Sequence, residues 1–110
     1  MPNQELTRVF QALSDPTRMA VLEQLSRGPA AVSELARPFK MALPSFVQHL
    51  GVLEHCGLVQ SSKQGRVRTY ALVPQQLRAA EGWLSAQRDI WERRLDSLDA
   101  YLATLKEQQA

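Results

Sequence analysis

The chain has 110 residues, enough for one domain around a single core, and its 45% hydrophobic and 22% charged residues are ordinary for a globular protein. No apolar run approaches the roughly 20 residues needed to cross a bilayer, and Met1-Pro2-Asn3-Gln4-Glu5 lacks the basic-then-apolar pattern of a signal peptide, so a cytoplasmic protein off the membrane is expected. The net charge of +2 is too small to argue for nucleic acid by itself, and a single cysteine, Cys56, with only His49 and His55 beside it, leaves no disulfide and no zinc spacing; no metal or cofactor is expected.

Leu6, Val9, Phe10 and Leu13 recur at the spacing of one apolar helix stripe and predict a first helix. Asp15-Pro16-Thr17 then reads as an N-cap followed by proline at the first helical position, where a missing N–H costs nothing. This second helix is expected to turn Met19, Leu22 and Leu25 inward and to end at Gly28-Pro29. A shorter third helix runs from about Val32 to Arg37. After the turn Met41-Ala42-Leu43-Pro44, a fourth extends from Pro44 to about Cys56 with Phe46, Leu50 and Leu53 inward, closed by Gly57. Leu58-Val59 and Tyr70-Ala71-Leu72 flank the polar tip Ser61-Ser62-Lys63-Gln64-Gly65-Arg66, the signal of a hairpin. From Pro74 onward the pattern is helical, with Gly82 expected to separate a short helix from a long one.

The expected architecture is therefore mainly α: a single winged helix-turn-helix domain over residues 1–110, with the helix-turn-helix at 32–56, a two-stranded β-hairpin wing at 58–73, and long helical segments at 1–14 and 75–110 serving dimerisation. Charge follows this order. No acid lies between Glu54 and Glu81, where Lys63, Arg66, Arg68 and Arg78 all fall, and the balance turns acidic afterwards. A basic stretch can be a merely solvated surface, so geometry has to decide its use.

Ala12-Leu13-Ser14-Asp15-Pro16-Thr17-Arg18 resembles the opening signature of the ArsR/SmtB family of winged-helix repressors. Glu34-Leu35-Ala36, Leu43-Pro44-Ser45, His49-Leu50, Val52-Leu53-Glu54, Gly57-Leu58-Val59, Gly65-Arg66 and Tyr70-Ala71-Leu72 are similar to the family pattern in the same order, over most of the chain. The resemblance implies a homodimer that binds a palindromic double-stranded DNA operator and represses. Two departures matter. Where metal-sensing members resemble Cys-Val-Cys-Asp-Leu, this chain has Ala31-Val32-Ser33-Glu34-Leu35, and no histidine lies beyond His55 to build the family's other site on the terminal helix. In the fourth helix Val47-Gln48-His49 stands where serine followed by a basic residue usually precedes the histidine.

With Leu50 at the centre of the buried face and about 100° per residue, Ser45, Gln48, Val52 and His55 point outward and His49 lies at the flank. These are the DNA-reading candidates. Gln48 matches the donor and acceptor of an adenine edge, while Ser45 near the helix start can bond a base or phosphate. His49 either contacts DNA or packs and caps. Lys63, Arg66 and Arg68 suit phosphate or minor-groove contacts from a wing, with Arg37 and Lys40 as further phosphate candidates at the turn. Leu84, Trp91, Leu98 and Leu105 recur every seven residues with Leu95 and Leu102 between them, a seam that needs a partner; Leu6 and Phe10 are expected to share that dimer interface. Cys56 reads as a small hydrophobe rather than a redox sensor.

Catalysis is not expected, because Ser14, Asp15, His49, His55 and Cys56 fall in capping and recognition positions with no triad spacing. The reading that competes with a repressor is a winged helix used as a protein-interaction module that has lost operator binding, kept open by the missing base before His49 and by Gly51 where the family often carries another. The reading leaves room for an effector that releases the protein from DNA.

Overall fold

Asp15 sets the first boundary: its backbone is extended and its carboxylate accepts the Arg18 N–H at 3.0 Å, so α1 (Pro2–Leu13) stops and α2 (Pro16–Leu25) begins. The computed structural model describes residues 2–109, and Met1 and Ala110, the outermost residues of the expected helical segments, lie outside it. The elements that follow are β1 (Ala30–Ala31), α3 (Val32–Ala36), α4 (Leu43–His55), β2 (Val59–Gln64), β3 (Val67–Leu72) and α5 (Gln75–Gln109). Helices dominate, and α3, the turn and α4 lead directly into the hairpin, the winged helix-turn-helix plan.

Three expectations about local structure are corrected. Met19 is not inward but 48% exposed, because α2 buries Val21, Leu22 and Leu25, and Met19 lies about 110° around the helix from the centre of that face. Gly82 does not break the terminal helix: α5 is continuous from Gln75 to Gln109. A helical glycine costs about 1 kcal/mol relative to alanine, and the strong helix formers around it, Arg78-Ala79-Ala80-Glu81 and Leu84, outweigh that. The wing hairpin has a third neighbour, since Ala30 pairs with Tyr70 and Ala31 with Thr69, giving a sheet ordered β1-β3-β2.

The chain divides into two compact units, one reaching Ala80 and the other starting at Glu81. The first holds the core. Val9 and Ala12 of α1, Val21, Leu22 and Leu25 of α2, Leu35 of α3, Phe46, Leu50 and Leu53 of α4, and Leu58, Val59 and Tyr70 around the hairpin are buried together. Fully burying one such leucine or phenylalanine stabilises the fold by about 1.5–3 kcal/mol, so the α4 triplet alone anchors that helix by its inner face. Phe39, in the turn before α4, stacks on Phe46 with ring centroids 5.4 Å apart and fixes the angle of entry.

α4 ends in a Schellman motif: Leu58 N–H returns to Leu53 C=O at 3.0 Å and Gly57 N–H to Glu54 C=O at 3.0 Å. Gly57 sits at φ 78°, a conformation that a side chain would strain, and Leu53 and Leu58, the residues joined across the motif, are both buried in the core. In the second unit the helix carries Trp83, Leu84, Ile90, Trp91, Leu95, Leu98, Tyr101 and Leu102 exposed, with Leu105 partly covered. No helix among the described residues is long and apolar enough to cross a membrane.

Candidate nucleic-acid interface

With Phe46, Leu50 and Leu53 fully buried, the opposite face of α4 is fixed by geometry. Ser45, Gln48, Val52 and His55 are all exposed, as the helical projection expected, and Val47 is exposed beside them. This row offers a hydroxyl, a carboxamide with donor and acceptor, two branched apolar groups able to meet a thymine methyl, and an imidazole. Gln48, Val52 and His55 line one side of an open groove of about 840 Å³, whose other side is Arg8, Gln11 and Ala12 of α1 with Arg18 of α2. Arg8 is a cation that no sequence motif singles out; its guanidinium has no hydrogen bond or ion pair among the described residues.

His49 is held from behind. Its Nδ1 lies 3.1 Å from Arg18 Nη1 and 3.7 Å from Asp15 Oδ2, and its side chain is 24% exposed. Arg18 also donates Nε to Ala12 C=O at 2.8 Å and Nη2 to Gln11 C=O at 3.2 Å, satisfying carbonyls that the end of α1 leaves without intrahelical partners. The Arg18 backbone N–H, with a smaller contribution from the Arg18 charge, draws the Asp15 carboxyl below its ordinary range against the opposing effect of burial. The sequence motif contained Asp15 and Arg18, but their link to His49, 31 positions beyond Arg18, exists only in the fold.

The wing tip is a two-residue turn, Gly65-Arg66, between the paired residues Gln64 and Val67. Gly65 takes φ 62° and Arg66 does not take a positive φ, the type II′ arrangement that suits the twist of a hairpin. Lys63 stands directly opposite Arg68 across the strands. Like charges facing one another destabilise a hairpin, so this tip is unfavourable for the protein alone and suited to a polyanion. Arg66, Arg68 and Val67 share a surface cavity of about 320 Å³ with Ala31, Val32 and Leu43, which brings the wing tip beside the start of α4.

The basic stretch is less free of acid than its sequence suggests. Glu54, from the far end of α4, accepts the Ser61 hydroxyl at 2.8 Å, and Arg68 Nη1 donates to the same Ser61 Oγ at 2.9 Å. Arg68 is thus partly committed to bracing the wing, whereas Lys63 and Arg66 are exposed and make no such contact. Tyr70, buried in β3, has its phenol pushed up by burial and by the nearby Glu54 charge. Arg37 and Lys40 are exposed on the turn before α4.

Cys56 is half-buried at the end of α4, its thiol 3.6 Å from Arg8 C=O. Leu6 and Phe10 pack in part against the first unit's own core. On the terminal helix Trp91 is 60% exposed, with the Arg94 guanidinium 5.3 Å from its ring, and Leu98 is 51% exposed. No group of three or more His, Cys, Asp or Glu side chains that could hold a metal occurs among the described residues.

Residues 13–61, from the end of α1 through α4 into the wing, match a family model described as a helix-turn-helix domain. The chain is similar to the HTH-type transcriptional regulator Rv2034 of Mycobacterium tuberculosis, 46% identical over 72 residues that span 66% of this chain and 67% of that protein. It is also similar to the transcriptional repressor SdpR of Bacillus subtilis, 29% identical over 72% of this chain and 88% of the repressor. Among solved structures, an ArsR family transcriptional regulator superposes with a TM-score of 0.79 at 56% identity, over 82% of this chain and 93% of that one. An ArsR-like transcriptional regulator from Rhodococcus sp. RHA1 gives 0.73 at 35% identity, over 87% and 91%.

Proposed function

The chain belongs to the ArsR/SmtB family of winged helix-turn-helix transcriptional regulators, DNA-binding proteins and not enzymes, and from that premise we propose that it is a homodimeric repressor of a palindromic operator that works without sensing metal. The observation that carries the reading is the presence of two chemistries in the first unit: an exposed polar row along α4 and, beside the start of that helix, a wing tip where Lys63 and Arg68 face each other next to Arg66. The first supplies hydrogen bonds matched to base edges; the second supplies charge for phosphates.

The homodimer rests on the α5 seam. Leu84, Trp91, Leu95, Leu98 and Leu102 form an exposed apolar stripe at heptad spacing, and a second copy covers it with the same stripe. Leu6 and Phe10, partly used by the core, contribute at most their remaining surface. Two α4 helices related by the dimer axis then meet half-sites about one helical turn apart, or a multiple of it. Metal independence is supported by Ala31 and Ser33 at the family's thiolate positions and by the lack of histidine after His55.

The test is a mobility-shift titration with the DNA upstream of the chain's own gene against random DNA, at several salt concentrations, with and without zinc, cadmium or arsenite. Tight binding to the upstream DNA, weak binding to random DNA and no release by the three metals are expected. Equal, feeble binding to both DNAs would favour an interaction module that has lost its operator, and micromolar release by a metal would overturn metal independence.

A further inference from the structure

Arg18 joins three helices at one point. Two of its nitrogens are used by the last carbonyls of α1, and the third, Nη1, lies 3.1 Å from His49 Nδ1 on α4. A guanidinium has only N–H donors and stays protonated in proteins, so in this contact it cannot accept. His49 Nδ1 must therefore be the acceptor, with its lone pair toward Arg18, and the imidazole is neutral with its proton on Nε2. Asp15 Oδ2, 3.7 Å from the same Nδ1, is beyond hydrogen-bond reach and does not compete for that position.

The other nitrogen has no partner among the described residues. Nε2 makes no hydrogen bond within the described residues, and none of their buried side-chain nitrogens or oxygens lacks a partner, so Nε2 is open to solvent. His49 stands at the flank of α4, next to Gln48, where the edge of a helix lying in a major groove meets the sugar-phosphate backbone rather than the bases.

We propose that Arg18 is a positioning residue for DNA binding: it locks His49 as the neutral Nε2–H tautomer, so that the outward N–H donates to a phosphodiester oxygen at the groove edge. The inference rests on the DNA-binding reading above. It assigns Arg18 a duty that a solely structural cap of α1 would not have, because the tautomer decides whether the outward atom of His49 is a donor or an acceptor. An acceptor there would repel a phosphate oxygen; a donor binds it.

Two measurements test it. Long-range proton–nitrogen correlation spectra of the imidazole, recorded where His49 is neutral, are expected to show protonated Nε2 and unprotonated Nδ1 in the wild type and a mixture of tautomers in Arg18→Gln. If that variant does not fold, the wild-type spectrum still decides, and a proton on Nδ1 overturns the proposal. For the second, His49→Gln places an amide N–H near the Nε2 position, while His49→Asn places an oxygen near Nδ1 and leaves nothing at Nε2. His49→Gln should keep operator affinity within a few-fold; His49→Asn should lose about tenfold, on operator and random DNA alike. Equal affinities for the two variants, or a loss confined to the operator, would sink the phosphate contact. A wild type that binds no DNA would fail the repressor reading itself, with the spectra still reporting on the tautomer.

Discussion

Lys63 gives the wing an unusual signature, in which one substitution should move stability and DNA binding in opposite directions. It faces Arg68 across the hairpin, and like charges in that position cost about 0.2–1 kcal/mol. Lys63→Gln keeps a polar side chain of nearly the same length and removes the repulsion, so the free protein should gain about 0.5 kcal/mol, or roughly 2–4 °C in melting temperature for a domain of this size. On DNA the same change removes one phosphate contact per protomer. At about 0.9 counterions per contact, two wings lower the slope of log affinity against log salt by about 1.8, and over a fourfold salt range the variant should lose about 12-fold less affinity than the wild type. Calorimetric melts and fluorescence-anisotropy titrations at 50–200 mM salt read the two effects separately. A melting temperature that falls, together with an unchanged salt slope, would show that Lys63 supports the fold and does not meet DNA.

Three further outcomes follow from the same geometry. Gln48→Ala, which removes hydrogen bonds but no charge from the exposed face of α4, should cost about 1–3 kcal/mol of discrimination for the operator and leave random-DNA affinity and salt slope nearly unchanged in anisotropy titrations. Trp91→Ala should shift the protein from dimer toward monomer in sedimentation at micromolar concentration, since covering that exposed ring on association is worth a few kcal/mol; a wild type that is already monomeric would rule out the seam. Asp15→Ala should cost about 1 kcal/mol at neutral pH through loss of the α2 N-cap. Because the folded carboxyl titrates below its unfolded value, this contribution is present above the ordinary carboxylate range and is lost as pH falls through the folded value, so the difference between urea melts of wild type and variant should shrink as pH is lowered below the ordinary carboxylate range.

What the sequence revealed and what it hid divide along the range of the interactions involved. The face of α4 was legible because Phe46, Leu50 and Leu53 sit in one helix, and a buried stripe determines its opposite. The N-cap at Asp15 and the turn at Gly65 were legible because capping and left-handed backbone are local. Met19 misled because Val21 shifted the buried face of α2 by more than side-chain hydrophobicity revealed. The pair Ala30–Ala31 is too short to show any strand period, and it exists only by pairing with Thr69 and Tyr70. Glu54 bounded the basic stretch in sequence yet reaches into it in space through Ser61. The contact between Arg18 and His49 depends on α1, α2 and α4 meeting, which no periodicity encodes.

The sheet order has one more consequence. With β3 in the middle, β1 and β2 are edges, and only β2 is long enough to template another strand. From Gln60 to Gln64 that edge carries only polar side chains, with Lys63 near its free end. A charged lysine on an edge strand discourages a second hairpin from adding to it, so the residue read as a phosphate contact also guards the apo protein against edge-to-edge aggregation. A neutral wing would be freer to recruit copies of itself into fibres whenever DNA is not there to occupy it, which sets a limit on how far the tip can lose charge even in a protein that no longer needs its operator.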